Sequence, residues 1–516
     1  DIATPDFFFF LEAFEFQRVM QAAAAAARMG KFADARAILE RLAQSSSVND
    51  GFFHLYLEVL QAQRDWRALA VAAKVWQKLK PDSARALEAQ ATAACESGLL
   101  HEAIDLNALE FDRAAQALDE AEALDPQNVH MLAAKAGLHA FRGRFDAAEM
   151  YCRRSLARDP NDVAAYRLLG QLHGGRLSPE ERVALGRLSG RPGLRIENRI
   201  TAAFALGDSL DAEGDVDGAF AAYTHAQSLA QERGRAESLV YLPDKAAREL
   251  DALPGQFTSN PATVPPAVVG VAKLRPIFIV GMPRSGTTLV EGVLGAHSRV
   301  RACGERMVMR QIKREYLWLT AQSRPVTAEI QADFVRAYFD RLPEHSGADH
   351  ITDKNPWNFD AVGLILAFFP DAHVIHVRRN PVETGLSIFS HELPKYQSFA
   401  QQLGHIGHFY GQYARLMRQW ERLAGDRMTT IQYEEFAADF DRAAPALVRA
   451  CGLDWEEECR YFQRSDRVIA TLSAMQVRKP VMERTGRARR YERHLRPLVE
   501  ALKSAGIDLA TGAAIS

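Results

Sequence analysis

The sequence predicts an all-α repeat solenoid followed by an α/β domain built on a central parallel sheet. Three observations carry that expectation: a 34-residue period in the N-terminal half, a strand–tight loop–helix junction at residues 276–289, and two later β-rich runs that each lead into a helical stretch. A chain of 516 residues has room for more than one core. Its 25% charged and 47% apolar residues are ordinary for a soluble chain, and a net charge of −2 gives no reason to expect nucleic acid as a partner. No apolar run approaches the roughly 20 residues of a membrane span. Phe7–Phe10 lacks the basic flank and cleavage site of a signal peptide. Cys95, Cys152, Cys303, Cys451 and Cys459 are scattered without zinc-site spacing, so free thiols in a reducing, cytoplasmic compartment are expected.

The repeats come first in the chain. Small-residue turns recur at Met29-Gly30-Lys31-Phe32, Gln63-Arg64-Asp65-Trp66, Ser97-Gly98-Leu99-Leu100 and Arg142-Gly143-Arg144-Phe145, in steps of 34, 34 and 45 residues. Pro81, Pro126 and Pro160 step by 45 and 34. A period of 34 with one 11-residue insertion around 105–111 accounts for both series. With Ala- and Leu-rich helical periodicity on either side of each turn, the pattern resembles tetratricopeptide repeats. A unit from Phe204 through Phe220 closes the array after a degenerate stretch at 165–200. Such helix pairs bury their apolar stripes against neighbours and present a concave face that binds protein or self-associates; a spacer without a ligand is the plainer alternative. The expected boundaries are a solenoid over 1–245, a proline-marked linker over 246–275 and a catalytic domain over 276–510.

The chemistry begins where the linker ends. Ile277-Phe278-Ile279-Val280 breaks at Gly281 into Met282-Pro283-Arg284-Ser285-Gly286, and helical periodicity resumes by Leu289. A loop between a strand and a helix N-terminus aims backbone N–H groups at an anion. The Gly281-x4-Gly286 spacing is P-loop-like, but Thr287 stands where a nucleotide P-loop has the lysine that serves the β- and γ-phosphates. The positive charge sits inside the loop, on Arg284. Strands are expected at 373–377 and 428–432. Their carboxyl ends, where ligands sit in parallel sheets, bring Arg379 and Tyr433 toward one anion pocket, with Ser387 two turns into the following helix and Lys354 after Ile351-Thr352-Asp353.

Pro283-Arg-Ser-Gly-Thr-Thr288 resembles the 5′-phosphosulfate loop of sulfotransferases, and Arg379 followed eight residues on by Ser387 resembles their 3′-phosphate motif. Cys303-Gly304-Glu305, Asp353-Lys354-Asn355-Pro356, Gln432-Tyr433-Glu434-Glu435 and Ser473-x-x-Gln476-Val477-x-Lys479-Pro480 extend the likeness. Together they make the chain similar to tyrosylprotein sulfotransferases and to bacterial tetratricopeptide-repeat sulfotransferases. The resemblance implies 3′-phosphoadenosine 5′-phosphosulfate (PAPS) as donor and 3′-phosphoadenosine 5′-phosphate (PAP) as product. Arg284, Ser285, Gly286, Thr287 and Thr288 would wrap the phosphosulfate. Arg379, Ser387 and Arg487 would hold the 3′-phosphate, and Tyr433 and Ser473 would contact the nucleotide. Two positions depart from the family: Ala488 replaces an aromatic residue, and His391 stands where the tyrosylprotein branch has Arg.

Sulfuryl transfer builds little charge on the moving group, so no metal is expected. The leaving phosphate needs donors that tighten in the transition state, a role for Arg284 and Lys354 assisted by Ser473; one such donor is worth about 3–4 kcal/mol. Glu305 is the implied general base. A carboxyl near pKa ~4.3 cannot strip a phenol near ~10 in the ground state, so it takes the proton as the O–S bond forms. The acceptor could be a protein or peptide tyrosine, or a small molecule.

Plainer roles stand beside these. Glu305 could pair with Arg301 or Arg306, Lys354 could be a turn residue, and Arg379 could pair with Glu383. His297, His373, His376 and His391 are expected in the core or on the surface, and Tyr410, Tyr413 and Trp420 in the core. The basic run from Arg478 to Arg496 reads mainly as a solvated helix face. A repeat scaffold with an inactive nucleotide-binding half, or a nucleotide-dependent kinase, remain the competing functions; the missing Lys at 287 argues against the kinase.

Overall fold

The computed structural model describes residues 129–258, 274–342, 347–464 and 486–515, and before residue 129 the stretches 19–27, 31–42, 50–63 and 66–79 with residues 29, 89, 118, 119 and 122. The turn at 97–100, the insertion around 105–111 and Ser473 with its motif lie outside the described residues. The chain forms two compact units, Asp1–Leu100 with Leu106–Arg158, and His101–Asp105 with Asp159–Ser516.

In the first unit the described helices include α1 (Phe32–Leu42), α2 (Asp50–Gln63), α3 (Trp66–Leu79), α4 (Val129–Phe141) and α5 (Phe145–Arg158), and residues 19–27 are helical as well. Of the turns expected at 29–32, 63–66 and 142–145, the described residues Phe32, Gln63, Trp66 and Phe145 are helix ends. Leu39, Phe52, Leu57, Leu60, Leu69 and Trp76 share one core, with Phe53 stacked on Trp76 at 5.5 Å.

The second unit opens with four more helices, α6 (Val163–Leu172), α7 (Pro179–Gly190), α8 (Ile196–Glu213) and α9 (Val216–Ala236). Local chemistry sets their starts. Asp162 accepts from the N–H groups of Ala164 and Ala165, and Ser178 with Glu181 forms a reciprocal capping box. Gly207 lets α8 and α9 approach closely, since a Cβ there would lie 2.5 Å from the Tyr223 ring. The stretch expected to be linker begins as a helix, α10 (Pro243–Thr258), because Leu250, Leu253 and Phe257 form a buried stripe; Phe257 packs on Trp420 at 6.2 Å. Residues 259–273 lie outside the described residues.

Five parallel strands follow: β1 (Arg275–Gly281), β2 (Val300–Ala302), β3 (His350–Asp353), β4 (His373–Arg378) and β5 (Met428–Gln432), in the order β2-β3-β1-β4-β5. The pleat divides β1 between two cores. Phe278 and Val280 face one shared with Phe204, Tyr223, Leu250, Phe257 and Trp420, while Ile277 and Ile279 face another with Val290, Leu294, Leu447 and Val448. Helices α8 to α10 therefore share their core with the sheet, and the expected boundary at 245 falls inside this unit. The remaining helices are α11 (Thr287–Gly295), α12 (Val308–Ala321), α13 (Ala328–Phe339), α14 (Val362–Phe368), α15 (Pro381–Phe389), α16 (Leu403–Ala424), α17 (Tyr433–Ala438), α18 (Phe440–Ala450), α19 (Arg487–Arg490) and α20 (Arg496–Ser504). Tyr410, Tyr413 and Trp420 of α16 are core residues, as their spacing predicts.

His376, at the centre of β4, is buried against Tyr413 (2.6 Å) and Glu421 (3.1 Å). Burial holds its imidazole below the usual 6.5. Unfolded chain binds a proton there before folded chain does, so this group contributes stability above about pH 6.5 that is lost as the pH falls through the lowered folded value. Asp353, pushed up to about 7 by burial, works in the opposite direction, losing stability as the pH rises toward 7. A paired comparison isolates the histidine. Between about pH 7.5 and about pH 5.5 the melting temperature of the parent chain should fall further than that of His376→Gln, by up to about 1.4 kcal/mol of stability per pH unit. Parallel melting curves would remove this account.

Candidate active site

The carboxyl end of every strand delivers a residue to one edge of the sheet: Arg284 beyond β1, Glu305 beyond β2, Lys354 beyond β3, Arg379 beyond β4 and Tyr433 beyond β5. Connections from β1 and β4 leave in opposite directions along the sheet, which opens a crevice at that edge.

The loop after β1 is shaped by its small residues. A Cβ at Gly281 would lie 2.6 Å from the Val377 carbonyl oxygen and 2.7 Å from Ser285 Oγ. Gly286 caps α11 with φ 104°, a left-handed conformation, and a Cβ there would lie 2.4 Å from the Tyr433 ring. Arg284 also adopts positive φ, 70°, which is unusual outside glycine. Ser285 is buried, and its Oγ has no hydrogen-bond partner among the described residues. Thr287 and Thr288 open α11, so their N–H groups belong to the unsatisfied first turn. A buried hydroxyl without a partner, beside a helix N-terminus, suits an anionic oxygen.

Arg284 is held at two points. Its Nε donates to Ser387 Oγ at 3.2 Å and its Nη2 to His391 Nε2 at 3.0 Å. A guanidinium can only donate, so His391 Nε2 accepts and the ring proton sits on Nδ1, facing the Ser387 carbonyl at 2.7 Å. Burial, with the charges of Arg284 and Arg487, holds His391 well below its usual range. The departure at 391 thus supplies a neutral acceptor that aims Arg284. Arg379 donates from Nη1 to the Arg284 carbonyl at 3.2 Å, and its guanidinium lies 4.7 Å from the Tyr433 ring centre. Glu383 accepts instead from the N–H groups of Gly486 (2.8 Å) and Ala488 (2.9 Å). Arg487 lies beside this cluster, with Nε on Asp211 at 3.0 Å, Nη1 on Ser390 Oγ at 3.0 Å and Nη2 on Tyr223 at 3.3 Å. Residues of α8 and α9 therefore hold a side chain expected at the 3′-phosphate.

At the other end, main-chain pairing continues past β2 and β3. Cys303 N–H donates to the Thr352 carbonyl (3.2 Å) and Lys354 N–H to the Gly304 carbonyl (2.9 Å). This sets Glu305 beside Lys354, with Oε1 and Nζ 2.6 Å apart. Lys354 is fully buried and Glu305 is 23% exposed, so the carboxylate has the solvent-facing position. Asn355 pins the turn between Arg306 and Trp357, accepting from one backbone and donating to the other. His297, His373 and His376 take core partners: the Asp454 carbonyl, Thr429, and the Tyr413–Glu421 pair. In the basic run Arg490, Arg493 and Arg496 pair with Asp211, Asp217 and Glu500.

Two residues escaped the sequence. His391 as an acceptor depends on its tautomer, which no spacing reveals. Glu291, buried beside Gly304 and Thr352, had a visible trace as a carboxylate interrupting the apolar start of α11.

Residues 276–457 match the model of the sulfotransferase family, and residues 110–172 that of the tetratricopeptide repeat. The strand-ended crevice thus lies in a sulfotransferase-family domain, and helical repeats precede it. An uncharacterised protein of Aquifex aeolicus is 33% identical over 245 residues, 44% of this chain and 32% of that protein. Protein-tyrosine sulfotransferase 1 of Danio rerio is 24% identical over 202 residues, 35% of this chain and 54% of that protein. The chain therefore spans about a third to a half of the length of these curated relatives. Among solved structures, the sulfotransferase domain of the Synechococcus PCC 7002 olefin synthase aligns at 16% identity over 45% of this chain and 95% of that one, with a TM-score of 0.32.

Proposed function

We propose that the chain is a PAPS-dependent sulfotransferase acting on an acceptor hydroxyl. The observation that carries this is the loop at 282–288, with a buried Ser285 Oγ that has no partner among the described residues, an Arg284 clamped by Ser387 and His391, and threonine where an ATP-binding loop has lysine. When bound, PAPS supplies a sulfuryl group on a phosphate leaving group. Arg284, Ser285, Gly286, Thr287 and Thr288 would hold the phosphosulfate, Arg379, Ser387 and Arg487 would hold the 3′-phosphate, and Tyr433 and Ser473 would contact the nucleotide. Lys354 would offer its amine to the leaving oxygen, and Glu305 would take the acceptor proton.

The relatives' names and the repeats support a tyrosine-bearing protein or peptide as the acceptor, captured by helical units that bind protein or a second copy. Buried thiols at Cys303, Cys451 and Cys459, outside any disulfide among the described residues, support a cytoplasmic setting. Among the described residues no helix is long and apolar enough to cross a membrane.

Calorimetry with PAP and with ATP tests the donor. PAP should bind and ATP should not; a preference for ATP, or no binding of PAP, overturns the proposal. Incubation of the chain with labelled PAPS and host lysate, followed by mass spectrometry, then identifies the acceptor by the mass of one added sulfuryl group.

A further inference from the structure

Glu291 lies on α11, the helix that opens from the donor loop, and the roles assigned so far leave it unused. It is buried at 8% exposure. One oxygen, Oε1, accepts from Gly304 N–H at 2.9 Å and from Thr352 Oγ at 2.8 Å. Those partners are the residues immediately before Glu305 and two before Lys354. Thr352 Oγ also accepts from Cys303 N–H at 3.3 Å, so a single carboxyl ties together the ends of β2 and β3. Burying a carboxylate is costly, and an apolar side chain would fill a helix–sheet contact at less cost. A charge retained there points to what lies next to it.

We propose that Glu291 is a positioning residue that locks the Glu305–Lys354 pair to the helix carrying the donor loop and places a negative charge behind the base. This rests on the sulfotransferase assignment above. Among the described residues Lys354 and Glu305 are the charged groups that act most on Glu291, and it acts in turn on Asp353 and Cys303. Burial pushes the Glu291 carboxyl above its ordinary range, while Lys354 and the two donors on Oε1 favour its ionised form. A second carboxylate close to Glu305 disfavours the charged form of Glu305, which makes it a stronger base.

The sign gives the test. Glu291→Gln keeps an oxygen for Gly304 and Thr352 and removes the charge. In the full chain, the carboxyl ¹³C titration of Glu305, identified by its loss in Glu305→Gln, should move to lower pH. The acidic limb of PAP release from PAPS should move the same way, with PAP affinity unchanged. Glu291→Asp keeps the charge but shortens the reach, so the rate should fall by up to about 100-fold, as for a misplacement near 1 Å, while the limb stays. If Glu291→Gln leaves both the titration and the limb in place while the parent chain binds PAP and turns over, this inference fails alone. If the parent chain does not bind PAP, the sulfotransferase assignment fails and takes this with it.

Discussion

Turnover by Glu305→Gln is expected to fall about 10²–10⁴-fold, the usual worth of a positioned general base, while PAP binds as tightly as to the parent chain. Glutamine is the informative replacement. Lys354 is fully buried and its amine rests 2.6 Å from the Glu305 carboxylate, so alanine would strand a buried cation at a cost of about 3–5 kcal/mol. Glutamine keeps an oxygen for that amine and loses only the ability to take a proton. The anchors proposed for the donor lie elsewhere, on the loop after β1 and on α15, which is why binding and turnover should separate. The measurements are PAP calorimetry and PAP release from PAPS. Normal turnover by the glutamine variant would move the base to another group.

The same geometry shows what a sequence can and cannot say. The apolar run at 277–280 and the short β-rich run at 373–377 were legible because buried strands favour such side chains, and they form β1 and β4. Ser387 was legible because eight residues past Arg379 is two turns of helix, and α15 holds it there. The α8–α10 packing was not. The repeat period marks each helix pair, but nothing in that period tells whether Phe204 or Tyr223 faces another repeat or the sheet. Arg487 shows the consequence. Its motif suggests a phosphate contact, but its partners Asp211 and Tyr223, far away in sequence, could not be read from that motif. Such pairings arise only when distant elements dock. The Glu305–Lys354 pair is intermediate: both residues stood out by type, but their adjacency depends on β2 lying beside β3.

Arg284 is where conformation, electrostatics and function meet. A non-glycine residue at φ 70° costs about 1–3 kcal/mol and persists when its surroundings over-determine it. Here they do: Ser387 and His391 hold the guanidinium, and Arg379 holds the carbonyl. Arg284→Gly should therefore weaken PAP binding by about 10²–10⁴-fold, from two charge-assisted hydrogen bonds of about 1.5–3 kcal/mol each. The melting temperature should stay within a few degrees, because relief of the left-handed strain offsets the lost contacts to Ser387 and His391. Arg284→Lys keeps a charge but lacks the planar fork, so it should recover only part of the affinity. A glycine variant that binds PAP normally would show that the strained arginine serves the fold rather than the donor, and the anion assigned to this loop would have to be held by its backbone alone.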